Sequence, residues 1–176
     1  MFLFSMPRKK SVKKSARDFR TATSGVAAFL ETVSVGQSDA HISLLHNYAI
    51  IKLYRDFEGM ILDSLVGAIN NDLTTVSSVA GVSFPKHLSD EVCEYLIIGT
   101  GYFDFKGRSG LISKLKTFVP PTHYLITIVK KKQYQEPLER LAALRNYAAH
   151  ESGKSKKAAL DAVGQKRISS AGAIGI

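Results

Sequence analysis

The chain holds 176 residues, of which 45% are hydrophobic and 22% charged, and carries a formal net charge of +9. That is the size of one domain able to bury a core without staples, and its single cysteine, Cys93, excludes a disulfide framework or thiolate metal cluster and fits a reducing cytoplasm. No apolar run reaches the roughly 18–20 residues of a membrane span, and the opening "MFLFSM" is too short for a signal-peptide core, with its charges after it rather than before.

The charge is uneven. Seven basic residues (Arg8, Lys9, Lys10, Lys13, Lys14, Arg17, Arg20) and one acidic residue, Asp18, lie within the first twenty. Residues 1–16 therefore read as a disordered, flexible basic arm that adheres to polyanions. Residues 17–166 read as one helical domain, and 167–176, ending in "AGAIGI", as a flexible tail. A first helix is expected over 17–34, followed by a turn at Gly36-Gln37-Ser38-Asp39. Residues 41–72 repeat apolar positions at steps of three and four and stop at Asn70-Asn71-Asp72. Ser89 should cap a helix running to Ile98. "GTGYFDFKGRSG" reads as an aromatic, glycine-rich loop, and a short amphipathic helix over 109–119 is stopped by Pro120-Pro121. "THYLITIVKKK" is ambiguous, its β-branched content suiting a strand. "EPLERLAALRNYAAH" is a helix with Pro137 in its first turn, and a last helix spans about 155–163. With no hairpin signal, the expected fold class is all-α, a compact antiparallel helical bundle.

The stretch "LRNYAAHESGKS", residues 144–155, admits two readings. Gly153-Lys154-Ser155 ends like a phosphate-binding loop, but that loop needs a glycine where Ala148 stands and a buried strand before it. The preceding residues have helical spacing instead, so an ATPase is excluded. On a helix, the neighbours of Arg145 are Leu138, Leu141, Ala142, Ala148 and Ala149, all apolar. Arg145 thus projects from a stripe that should face a core or a partner, and His150 stacks over Asn146 one turn below. Glu58 repeats the pattern: its helical neighbours Ile51, Tyr54, Ile61, Leu62 and Leu65 are apolar, with Arg55 the exception, and Gly59 beside it marks a close approach. Buried lone charges are costly while a hydrogen-bonded pair is tolerated, so Glu58 is expected to meet and orient Arg145. An ion pair that only holds two helices in register is the alternative. Arginine beside histidine, a group that ordinarily titrates near neutrality, is a sensible kit for cutting a phosphodiester without metal.

Lys130, Lys131 and Lys132, with Lys154, Lys156 and Lys157, lie near this stretch in sequence and are the candidate nucleic-acid-backbone contacts. Tyr102, Phe103 and Phe105 suit base stacking or, more simply, core packing. His41, His46, His87 and His123 follow no metal-ligand spacing, so neither a metal nor another cofactor is expected. Cys93 reads as a core thiol.

"LRNYAAHES" resembles the R-N-x-x-x-H signature of HEPN domains, small all-helical domains many of which are metal-independent endoribonucleases. Arg145, Asn146 and His150 occupy the motif places. "LYRDFEGMILDSL" is similar to the early helix of compact bacterial HEPN proteins, with Glu58-Gly59 at its acidic-glycine step, so the resemblance spans roughly residues 40–165. It implies a homodimer with both Arg-His sets in one cleft between the subunits. It also implies cleavage of RNA by 2′-hydroxyl attack, giving 2′,3′-cyclic phosphate and 5′-hydroxyl ends. His150 would serve as acid and base, Arg145 would hold the phosphoryl oxygens, Asn146 would bind the phosphate or position the histidine, and the two lysine clusters would contact the RNA backbone. A toxin–antitoxin or anti-phage role follows from the resemblance, with an antitoxin or other defence-system protein as a further partner. The rival reading is a non-catalytic HEPN module that binds RNA or a protein.

Overall fold

The computed structural model describes residues 9–168 and 170–174. Among them the chain forms eight α-helices and no strand: α1 Val12–Val33, α2 Asp39–Asn71, α3 Thr74–Ala80, α4 Asp90–Ile98, α5 Gly107–Phe118, α6 Tyr124–Val129, α7 Gln135–His150 and α8 Gly153–Val163. Short 3-10 turns cover Lys132–Tyr134 and Gly172–Ile174. The helix starts are written in serine. The hydroxyls of Ser11, Ser38, Ser89 and Ser152 accept the backbone N–H groups of Lys14, His41, Val92 and Ser155, satisfying donors that have no partner inside the helix.

The 33-residue α2 is the axis of the bundle, packing against α1, α4, α5, α7 and the C-terminal turn. Its last turns, Ser64 to Asn70, are buried on every side, as expected for a helix sheathed by others. Leu65 and Ile69 meet Leu111 and Leu115 of α5, Ile126 of α6 and Cys93 of α4 in the main core. A second, smaller cluster joins Leu144 and Tyr147 of α7 to Ala159 of α8, Ile168 and Ala171.

An all-α bundle is what the periodicity predicts, but two boundaries differ and one ambiguous segment is decided. The basic arm expected through residue 16 gives way to helix at Val12, because Ser11 caps it and Lys10 is fastened by its ammonium to Asp63 and Glu94. Burial works against that ammonium's charge, yet the two carboxylates outweigh it and hold the Lys10 pKa above its ordinary value. The first eight residues of the expected arm lie outside the described residues. Residues 124–129 are helical rather than extended: Leu125, Ile126 and Val129 reach the core only at helical spacing, and burial outweighs β-branched propensity. The tail expected to be flexible from residue 167 is seated. Ile168 and Ala171 are buried, and the Gly172 N–H donates to Asn47 Oδ1 at 2.5 Å. A Cβ at Gly172 would overlap the Ser43 carbonyl oxygen, so glycine is what lets this segment lie on α2. Ser169, Gly175 and Ile176 of that tail lie outside the described residues.

Cys93 is a core thiol, 0% exposed. Burial, aided by the charge of Asp90, pushes its pKa up to about 11, so little thiolate exists at neutral pH. Ellman's reagent is therefore expected to leave the native protein unreacted over hours and to titrate one thiol at once in denaturing urea. Fast labelling of the native protein would contradict this packing.

Candidate functional site

Four elements converge on one face. Helix α2 presents Tyr54 and Glu58, the 101–106 loop presents Asp104 and Lys106, α7 presents Arg145, Asn146 and His150, and α8 presents Lys154. The loop is held by its aromatics: Phe105 sits among Tyr54, Phe57 and Phe103, with ring centroids 5.8, 5.9 and 5.9 Å away. The Tyr54 hydroxyl donates to the Phe105 carbonyl at 2.9 Å. Phe103 and Phe105 are thus packing residues, while Tyr102 stands 92% exposed.

Two clefts of about 610 and 600 Å³ meet here, and Tyr54, Glu58, Asp104 and Arg145 line both. The first adds the apolar and aromatic side chains Ile51, Leu62, Ile98, Tyr102 and Phe103, and the cation Arg55. The second is polar and carries Lys106, Asn146, His150 and Lys154. Arg145, Asn146, His150 and Glu58, named from sequence as the catalytic set, therefore share the walls of one cleft.

The expected contact between Glu58 and Arg145 is not made. Among the described residues no ion pair or hydrogen bond joins them, and Glu58 Oε1 is buried without a partner. Arg145 instead lays its guanidinium over the Tyr54 ring, 5.0 Å from Cζ to the centroid, and donates from Nη1 to Asn146 Oδ1 at 3.1 Å. The tyrosine face offers a planar cation an alternative to the carboxylate. The two charges still feel each other. Burial raises the Glu58 pKa above the usual carboxylate value, Arg145 pulls it down, and Asp104 adds to the rise. The Tyr54 phenol is pushed up to about 12, first by burial and then by the charge of Glu58.

A raised pKa in the folded state means that the protonated carboxyl favours folding. That contribution is complete below the unfolded value of 4.5 and is lost as pH rises through the folded value. The isosteric Glu58→Gln substitution is expected to match the wild type near pH 4 and to gain on it steadily above pH 5. Urea midpoints measured in parallel across that range check this, and a constant or shrinking gap would contradict it.

His150 ends α7, and the chain reverses at once. Glu151 takes a left-handed conformation, φ 45° and ψ 25°, the one non-glycine residue with positive φ among those described. Such a conformation costs of order 1–3 kcal/mol and persists where its surroundings hold it. Here Ser152 immediately opens α8, its hydroxyl and that of Ser155 capping each other's backbone N–H groups. The tight αα-turn turns Lys154 toward the cleft that holds His150. Gly153-Lys154-Ser155 is the first turn of that helix and follows a helix, so no phosphate loop exists there.

The candidate RNA-binding lysines separate. Lys154 lines the second cleft, while Lys156 faces a cavity of about 520 Å³ shared with Lys166 and Arg167. Lys157 is exposed, outside both clefts. Lys130, Lys131 and Lys132 precede the first turn of α7, roughly 20 Å along that helix from His150. They are too far for one nucleotide to touch both. Proximity in sequence to the motif does not carry across a helix of this length. Tyr54, Lys106 and Asp104 were missed by the sequence reading. Tyr54 is an apolar neighbour of Glu58 in the helical pattern, but nothing in one chain's spacing shows that it lies under Arg145. Among the described residues no group of three His, Cys, Asp or Glu side chains is placed to hold a metal ion, and no helix is long and apolar enough to cross a membrane.

No family model, curated protein or solved structure matches this chain. Its class therefore rests on the fold and the site: an all-α helical bundle whose second cleft gathers Arg145, Asn146, His150 and Lys154 at the α7–α8 turn.

Proposed function

We propose that the chain is a metal-independent endoribonuclease of HEPN type, acting in the cytoplasm as a homodimer and serving in toxin–antitoxin or anti-phage defence. One observation carries the reading: Arg145, Asn146 and His150 line the same cleft as Lys154 and Glu58. The chemistry needs no further group. The ribose 2′-oxygen bonds to phosphorus as His150 removes its proton, the P–O5′ bond breaks, and the His150 imidazolium returns that proton to the departing oxygen. Arg145 stabilises the additional charge on the five-coordinate phosphorus. Lys154 and Lys106 add cations for the RNA backbone. A second copy is expected to cover the line Leu44, Tyr48 and Ile51 on α2, two of whose side chains are exposed and the third of which lines the first cleft beside Arg145.

The non-catalytic alternative, a HEPN module binding RNA or a protein, draws on a different observation. Arg145 is engaged with Tyr54 and Asn146, and neither it nor Asn146 bonds to His150 among the described residues. Purified protein incubated with total RNA in chelator separates the two, with Arg145→Ala and His150→Ala compared as folded dimers by sedimentation. Cleavage by the wild type alone, leaving cyclic phosphate ends, supports the nuclease. Cleavage that survives both substitutions ends this assignment of the chemistry. Binding of RNA without cleavage by any of the three favours the module.

A further inference from the structure

The chemistry proposed above uses the second cleft; it draws on the first only through Arg145, which lines both, and the expected dimer contact reaches the first only at Ile51. Its makeup suits a small ligand: apolar walls from Ile51, Leu62, Ile98 and Phe103, the exposed ring of Tyr102, and four charged side chains, Arg55, Glu58, Asp104 and Arg145, in a volume ordinary for a bound small molecule. One polar group stands out. Glu58 Oε1 is buried and accepts no hydrogen bond among the described residues, and a native fold seldom leaves such an acceptor unsatisfied.

A carboxylate offers two acceptors side by side and no donor. Among the four RNA bases, guanine alone presents two adjacent donors on its Watson–Crick edge, N1–H and the 2-amino group. Adenine and cytosine place an amino group beside a lone pair that a carboxylate repels, and uracil flanks its single N–H with two carbonyls. We propose that the first cleft is a guanine subsite, in which Glu58 accepts from N1–H and the 2-amino group while Tyr102 stacks on the base. Arg145 lines both clefts. A guanosine held in the first therefore puts its adjoining phosphate at the guanidinium, and the next nucleotide runs into the second cleft past His150 and Lys154. The cut falls next to guanosine.

The cleavage pattern rests on the ribonuclease reading, but the base site is tested without it. Isothermal titration of the full chain with GMP, AMP, CMP and UMP is expected to show GMP binding at least tenfold tighter than the other three. Glu58→Gln, which replaces one acceptor by an amide donor, is expected to remove that preference. Tyr102→Ala, at a side chain exposed enough to leave the fold alone, is expected to weaken GMP binding severalfold. Should Glu58→Gln fail to fold, as judged by circular dichroism, the wild-type ranking of the four nucleotides decides. GMP preference with no RNA cleavage would overturn the nuclease and keep the guanine site. RNA cleavage without base preference, with four equal nucleotide affinities, would overturn the guanine site and keep the nuclease.

Discussion

Arg145→Ala is expected to lower the single-turnover rate of RNA cleavage by about 10²–10³-fold, the usual cost of removing one donor aimed at developing charge. His150→Ala is expected to cost about 10²–10⁴-fold, the range for a lost general acid–base. Both substitutions should leave the helical circular dichroism signal intact, because His150 is exposed and Arg145 lies at a cleft wall rather than in either core cluster. Arg145→Lys gives the sharper reading. An ammonium keeps the positive charge but cannot lie flat on the Tyr54 ring or grip two phosphoryl oxygens at once. It should recover only a minor part of the loss. Full recovery would mean that Arg145 serves as a point charge and that its seat on Tyr54 is incidental. An alanine variant as fast as the wild type would remove Arg145 from the chemistry altogether.

What the sequence discloses about this site, and what it conceals, follows from the reach of helical periodicity. Spacing along one helix is a local property, so the apolar stripe around Arg145, the Ser89 cap and the end of α2 at Asn71 can be read before any fold is known. Ser89 and Ile98 bound α4 as the cap and the apolar run require. Contacts between helices depend on how far one slides along the other, and no local pattern encodes that offset. Glu58 and Arg145 both face the same space, yet the slide of α7 against α2 brings Tyr54, one turn before Glu58, under the guanidinium. The lysines show the same limit, since a run at the start of α7 and a run after its end are neighbours only along the chain. Segments of few residues fail for a second reason. The seven residues of α3 and the six of α6 are too short to display a period, and the seat of Gly172 on α2 depends on the absence of a side chain.

Removing the carboxylate of Asp90 is expected to destabilise the fold more than any surface change, by about 2–4 kcal/mol, since each orphaned buried donor costs about 1–3 kcal/mol. Asp90 is 8% exposed and opens α4, where a negative charge also suits the helix N-terminus. Its Oδ2 accepts the Lys10 backbone N–H at 2.6 Å and its Oδ1 accepts Asn70 Nδ2 at 2.9 Å. Asn70 is 2% exposed, and its own Oδ1 has no partner among the described residues, so the side chain cannot turn to water for replacement bonds. Asp90→Ala would strand both donors and release the strip before α1, which runs close over Gly67 with the Lys10 carbonyl oxygen 3.0 Å from where a Cβ would stand. Asp90→Asn keeps one acceptor and should fall between. Urea unfolding measures the loss. Limited trypsin digestion reports the release, because Lys9, Lys10, Lys13 and Lys14 become substrates once the strip lifts. An alanine variant within about 0.5 kcal/mol of wild type, and no easier to nick, would show that this buried carboxylate does not fasten the N-terminal segment to the bundle.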